Sequence, residues 1–541
     1  MSGTLARTSA DGSQGDAPAA RQGRPAWLTP VNVVIIVTTL VALGLRLYYQ
    51  YTRPGWLVGV TEYDDGPYFG SAVRLVHGSM PYRDFILVQP PGITLLMSPV
   101  ALLSYLTGTA WGLAIGRILT VLAGTAAVAL AGLLVRHRGV LAVLLTCGIV
   151  AVYSDAVAAA HTVLVEPWLV LFCLAGLVAV FDGDRISAST RRLAWGGAAF
   201  GFAGAVEAWA IVPVLVLAAL CLPQLRRAAV FVGGVAAGFL IPVLPFALAS
   251  PSQFYRSLIT AQVGYRAHAV RVGVLLRLKN MIGLPYALHW PRTTVLLTVF
   301  AIALFVLAAQ AAALLVTRQP PPLLDWFATV TAVLVVAMFL WPPQFHYHFA
   351  AFLAPFLALS VALPVGRLVA DAPPGALSAA AKRQLGWSAV GLAGLALVIV
   401  AGLQARLEGG TVKVIGAIPS PIDQIIPRGA CVLTDQTSVT LAANRFVSDV
   451  PGCSQMVDSL GTDLALSNGL RPTTGAGNVP AVAAAWNQAF SHAQYVILTA
   501  TNMRRIAWTP ALDAYLNDHF VQVYRSPRKL LVYARKGLHG R

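Results

Sequence analysis

The sequence predicts a polytopic α-helical membrane protein with about eleven transmembrane helices, interfacial helices in the first outer loop and a small C-terminal α/β domain. Three observations carry this prediction. Of 541 residues, 57% are hydrophobic and only 11% charged, with a mean hydropathy of +0.71, a composition foreign to soluble chains of this length. Apolar runs of roughly bilayer length, 17 to 25 residues, recur as far as residue 405. Beyond that point short β-rich runs alternate with helix-like stretches.

Residues 1–26 are rich in Ser, Gly and Ala and read as a disordered cytoplasmic tail. The first apolar run has positive flanks, and Arg46, Tyr48 and Tyr49 follow it where a signal peptide would carry small residues, so it is a signal anchor. Spans are expected near 28–50, 109–135, 140–157, 164–181, 193–207, 208–223, 229–249, 293–316, 326–341, 347–364 and 387–405. Together they make a membrane domain over 27–405.

The stretch from Pro91 to Leu106 is also apolar, and charge parity decides its placement. If it does not cross, the basic loops at Arg136/Arg138, Arg185/Arg191/Arg192, Arg226/Arg227, Arg318 and Arg367/Lys382/Arg383 share a side with Arg21 and Arg24. All are then cytoplasmic, as the positive-inside rule requires. Pro91 to Leu106 is therefore expected to lie in the outer interface, held by the turn Pro90-Pro91-Gly92. The same parity puts residues 406–541 outside, in a multi-pass plasma-membrane protein with a cytoplasmic N-terminus.

A net charge of +17 would suggest nucleic acid in a soluble protein. Here the basic residues punctuate apolar runs, with no basic stripe or aromatic platform, so nucleic acid is excluded as a partner. Cys147, Cys173 and Cys221 lie in apolar runs as small buried hydrophobes. Cys431 and Cys453 lie in the polar C-terminal region, where an extracytoplasmic location permits a disulfide between them.

The unusual polar residues gather on the outer side. The first outer loop, about 51–108, reads Thr61-Glu62-Tyr63-Asp64-Asp65-Gly66, continues through Arg74 and Tyr82-Arg83-Asp84, and reaches Gln89-Pro90-Pro91. Three carboxylates within four positions repel one another and raise at least one pKa, which suits a general base, and Asp64 and Asp65 are also the residues that would hold a divalent cation. The alternative is that Asp64 or Asp65 simply caps the helix that follows. Arg117, Glu166 and Glu207 fall within or between spans, where an ionisable residue marks a cavity or a partner. His346 and His348, in Pro343-Gln344-Phe345-His346-Tyr347-His348, could bind phosphate or metal, or belong to an interfacial aromatic belt. The loop from Phe254 to Leu284 reads as a basic, amphipathic interfacial helix pair.

The acidic pair, the short helix after it, the Tyr-Arg-Asp step and the Pro-Pro turn leading to a second interfacial helix resemble the GT-C glycosyltransferases. Most similar is the clan of protein O-mannosyltransferases, aminoarabinose transferases and related bacterial lipid-carrier-dependent enzymes. The resemblance extends to about residue 405. It implies that Asp64 deprotonates an acceptor hydroxyl, with Asp65 as its partner where many relatives carry Glu. Some relatives place a carboxylate just before the position of Gln89, where this chain has Val88; Asp84 or Glu62 could replace it. It also implies a polyprenyl-phosphate sugar donor, mannose first and arabinofuranose second, and an envelope glycan or glycolipid acceptor. Cations at the outer interface would neutralise the leaving phosphate: Arg74, Arg83, Arg117, Arg256, Arg266, His268 and Arg271 are the candidates. Asp84, Gln89, Glu166, His346 and His348 complete the expected substrate-binding set. A lipid-linked-sugar flippase and a non-catalytic scaffold remain as alternatives, although no internal repeat of the transporter kind is present.

Overall fold

The computed structural model describes residues 29–285, 288, 290–370, 379–407, 415–499, 505–527 and 530–538. The expected N-terminal tail, 1–26, lies outside them. Helix α1 (Pro30–Tyr51) starts at Thr29, whose hydroxyl accepts from the Asn32 N–H. Its Ile36, Val37, Leu40 and Val41 are exposed, the face a membrane helix turns to lipid. In the first loop α2 (Asp65–Val76) and α3 (Gly92–Thr107) lie against one another. Then come α4 (Thr109–Val135), α5 (Val140–Val152), α6 (Ser154–Ala159), α7 (Glu166–Val180), α8 (Thr190–Val206), α9 (Ile211–Cys221) and α10 (Leu225–Ala249).

The second loop forms α11 (Pro251–Tyr255), a π-helical turn Arg256–Thr260, α12 (Ala261–His268) and α13 (Val274–Met281). The bundle closes with α14 (Arg292–Thr317), α15 (Leu323–Leu340), a 3-10 turn Tyr347–Phe352, α16 (Ala354–Ala370) and α17 (Ala379–Leu407). Among the described residues, seven helices are long and apolar enough to cross a membrane. Four more spans expected from sequence correspond to the shorter α5, α7, α8 and α9. Helix α3, at 16 residues, is as long as these shorter helices, so the expectation that it lies in the interface rests on charge parity and not on its length.

Small residues set how closely the helices approach. A Cβ on Gly201 would stand 2.1 Å from the Val235 carbonyl oxygen, and one on Gly238 2.1 Å from that of Ala198. With lipid outside as apolar as the side chains, such contact is what drives α8 and α10 together.

Charges order the two ends of the bundle. Arg138 pairs with Asp184 at 2.7 Å and Asp325 at 3.0 Å, and Arg367 reaches Asp325 at 3.7 Å. The loops after α4, α7 and α14 and the last turn of α16 therefore meet at one end. Glu166 and His348, at the starts of α7 and of the turn leading into α16, mark the other. The basic stretches at Arg138, Arg185, Arg318 and Arg367 thus share one end.

After α7 comes a short antiparallel hairpin of β1 (Phe181–Asp182) and β2 (Arg185–Ile186); the C-terminal unit carries a four-stranded sheet in the order β3-β4-β6-β5, from β3 (Val432–Thr434), β4 (Tyr495–Thr499), β5 (Phe520–Arg525) and β6 (Leu530–Arg535). β3 and β4 are parallel and the other pairings antiparallel. Fully buried Trp486 and Phe490 fill one face. Helices Pro480–His492 and Pro510–His519 alternate with these strands along the chain. Two further helices, Thr437–Ala442 and Ser459–Leu466, were not legible: each is short and polar, and its conformation depends on the surface it meets.

Cys431 and Cys453 are joined, with Cα atoms 5.5 Å apart and a sequence separation of 22. A loop of this length should stabilise the domain by about 3 kcal/mol through the entropy it removes from the unfolded chain. The C431S/C453S variant is therefore expected to unfold earlier in the C-terminal domain, read by differential scanning calorimetry with and without reductant; identical traces would refute this.

Candidate active site

The acidic loop is built around Asp65. It opens α2 and is fully buried. One carboxylate oxygen takes Arg117 Nη2 at 2.7 Å and the Thr162 hydroxyl at 2.6 Å; the other takes the Ser438 hydroxyl at 2.5 Å. Arg117 is itself saturated from within, by Thr162 Oγ1 at 3.0 Å, the Gly59 carbonyl at 2.7 Å and the Leu57 carbonyl. This ion pair joins α2, α4, the loop after α6 and the C-terminal domain. The domain fits so closely because residue 66 is glycine: a Cβ there would lie 2.5 Å from the Ser438 backbone nitrogen. Asn444 caps α4 from outside, its Oδ1 accepting the Ala110 N–H at 2.9 Å.

Asp64 behaves differently. It occupies the N-cap position of α2, yet its side chain makes no capping hydrogen bond, so the capping alternative does not account for it. Its side chain is 34% exposed, and its Oδ2 lies 3.8 Å from His348 Nε2. His348 Nδ1 in turn lies 2.7 Å from Glu166 Oε1. Nδ1 of His348 thus faces Glu166 and Nε2 faces Asp64. Glu166 is fully buried at the N-terminal end of α7, where the helix dipole favours negative charge.

Glu62 completes the cluster, accepting from its neighbour's Tyr63 N–H at 3.0 Å and from the Tyr347 hydroxyl at 3.2 Å. Burial, opposed by His348 and Arg505 and reinforced by Asp458 and Glu166, holds the Asp64 carboxyl above the usual carboxylate range. Burial, then the Asp64 charge, raises Glu62 likewise. The C-terminal domain adds Asp458, which accepts the Tyr63 hydroxyl at 2.8 Å, and Asp435, pushed up to about 7 by burial.

The other expected residues divide in two. His346 stacks beside His348 with ring centroids 5.6 Å apart, and Arg266 is exposed on α12 within electrostatic reach of Glu207. By contrast Arg74, placed at the donor phosphate by resemblance, is buried over the Phe446 ring at 4.3 Å and donates to the Ser454 carbonyl at 3.3 Å; Arg117 is likewise spent within the protein. Arg83 and Asp84 pair with each other at the surface at 2.8 Å. Gln89 is half-buried, and its carbonyl accepts the Tyr82 hydroxyl at 2.5 Å. For a cation, Asp64 and Asp65 do not form a shared site: Asp65 is already neutralised by Arg117, and among the described residues no three His, Cys, Asp or Glu converge on one point.

No protein-family model matches the sequence, and no curated protein does. Solved structures do. ArnT from Cupriavidus metallidurans bound to undecaprenyl phosphate superposes with a TM-score of 0.61 at 15% identity, covering 93% of this chain and 98% of that one. The archaeal oligosaccharyltransferase AglB from Archaeoglobus fulgidus, in complex with an inhibitory peptide and a dolichol-phosphate, gives 0.51 at 13% identity over 94% and 74%. The chain has the GT-C fold. Because the match to ArnT spans nearly the whole of both chains, the GT-C likeness includes the C-terminal domain, beyond the reach of the sequence resemblance. Within this GT-C fold the acidic first loop, the His348 turn and the start of α7 meet at one end of the bundle, under the C-terminal domain.

Sequence reasoning missed Ser438, Asp458 and Arg505. Arg505 lies with its guanidinium carbon 3.3 Å from the centre of the Tyr63 ring. No local signal marks any of the three, since each gains its meaning from a surface more than 370 residues away in sequence, as the separation of 373 between Asp65 and Ser438 illustrates.

Proposed function

We propose that this protein is an inverting glycosyltransferase that moves a sugar from a polyprenyl-phosphate donor to a hydroxyl of an envelope glycan or glycolipid at the outer face of the membrane. The observation that carries the reading is the Asp64–His348–Glu166 array: a water-accessible carboxylate of raised pKa, oriented through a histidine by a second, buried carboxylate, on a GT-C fold. Asp64 takes the acceptor proton as the hydroxyl oxygen bonds to the anomeric carbon. The bond from that carbon to the phosphate oxygen breaks, and the lipid phosphate leaves with the electron pair. His348 and Glu166 position the base; Asp65 and Arg117 hold the helix start that presents it. The neighbours' undecaprenyl phosphate and dolichol-phosphate support a lipid-phosphate donor.

Mannose is the first sugar to test and arabinofuranose the second, in the order the family resemblance suggests. Membranes containing the protein, incubated with radiolabelled polyprenyl-phosphate mannose and separately with the arabinose donor, are expected to transfer one of the two labels to an endogenous acceptor. Translocation of intact labelled lipid with no transfer from either donor would overturn the reading in favour of a flippase.

A further inference from the structure

The acid-rich recess contains one arginine whose role the mechanism above leaves open. Arg505, contributed by the C-terminal domain, stacks its guanidinium on Tyr63, the residue immediately before the proposed base. Tyr63 is a fixed platform: its hydroxyl donates to Asp458 at 2.8 Å, lies 2.9 Å from the Ser459 hydroxyl, and accepts the Leu460 N–H at 3.1 Å. Arg505 acts electrostatically on Asp64, Asp458, Asp435 and His346, so it belongs to the same recess.

Among the described residues, however, no carboxylate approaches it to ion-pair distance, and its Nη1 is shut off from solvent with no hydrogen-bond partner. The nearby acids are served by other groups: Asp458 by Tyr63 and the Gly461 N–H, Asp435 by the N–H and hydroxyl of Thr499. A guanidinium held flat on an aromatic ring presents its N–H groups in one fixed plane, the geometry that recognises phosphate or carboxylate oxygens. A buried charged donor left unsatisfied is costly, so a group in this state calls for a partner.

We propose that Arg505 is the oxyanion-binding group of the site, its guanidinium taking a phosphate oxygen of the lipid donor. The assignment rests on the function proposed above for the identity of the lipid, not for the presence of the oxyanion site. It gives the C-terminal domain a direct part in substrate binding, and it places a cation beside Asp64 where negative charge would develop on the leaving group.

The test uses full-length protein in nanodiscs and reads binding, which requires no turnover. Undecaprenyl phosphate and undecaprenol are titrated by native mass spectrometry, and inorganic phosphate by 31P NMR, against wild type, Arg505→Gln and Arg505→Lys. Arg505→Gln is expected to weaken undecaprenyl phosphate about 10- to 100-fold, as loss of a charged hydrogen bond does, to leave undecaprenol unchanged, and to be partly rescued in Arg505→Lys. Unchanged binding of both phosphates in Arg505→Gln overturns the proposal. Equal loss of undecaprenyl phosphate and undecaprenol also overturns it, because a phosphate ligand must discriminate between them. If wild type shows no preference for undecaprenyl phosphate over undecaprenol, yet Arg505→Gln abolishes binding of inorganic phosphate, the oxyanion site stands and the lipid-donor reading falls.

Discussion

Replacing Asp64 by asparagine is expected to lower sugar transfer by about 100- to 10,000-fold, the range a positioned general base contributes, while the protein folds and still binds its lipid donor. The side chain keeps its size and loses only its capacity to accept a proton. The wild-type pH profile should carry the same signature. Burial raises the Asp64 pKa, and a base works in its ionised form, so transfer should rise with pH through a midpoint above the ordinary carboxylate range and level off beyond it. In the variant that rising limb should disappear from whatever residual rate remains.

Stability should move the other way. A carboxyl whose pKa is raised on folding binds its proton more tightly in the folded state, so stability falls as pH climbs from the unfolded pKa toward the folded one. Asparagine removes that cost, and Asp64→Asn is expected to melt at or above the wild-type temperature at neutral pH. Transfer unchanged in Asp64→Asn would remove Asp64 from the chemistry. A loss of transfer accompanied by a lower melting temperature would point to a structural role instead.

The second large effect concerns stability itself. Arg117→Met leaves Asp65 charged and buried without its partner, and removal of one member of such a pair costs about 3–5 kcal/mol. Asp65→Leu strands Arg117 in the same way. Because the desolvation of both charges opposes their attraction, the double variant Asp65→Leu/Arg117→Met is expected to recover much of the loss. Unfolding of the four proteins in one detergent measures this coupling. Single variants within about 1 kcal/mol of wild type would show that the pair is no more than a surface-like ion pair. Activity should fall in both single variants even where the fold survives, since Asp65 fixes the first turn of α2 and Asp64 precedes it directly.

The two adjacent aspartates thus separate into different tasks, and the separation arises from what each side chain meets. Asp65 turns inward, onto Arg117, Thr162 and Ser438. Asp64 stays partly exposed and faces His348. A sequence row shows two equal carboxylates. Only the folded chain assigns one to hold the helix and one to face the substrate.

Much was set by the sequence alone. Composition pointed to a membrane protein, because a chain with 57% hydrophobic and only 11% charged residues has too little polar surface to face water on all sides and needs lipid as solvent. Apolar runs long enough to span were legible from length, and the mixed helix and strand character beyond residue 405 from composition and periodicity; these are local properties or simple counts. The convergence of Glu166 and His348 on Asp64, the diversion of Arg74 and Arg117 into the protein, and the arrival of Ser438, Asp458 and Arg505 from the C-terminal domain were decided by tertiary structure. Each depends on contacts between residues far apart in the chain, and such contacts are fixed by packing and charge pairing in three dimensions, which no spacing along one dimension encodes.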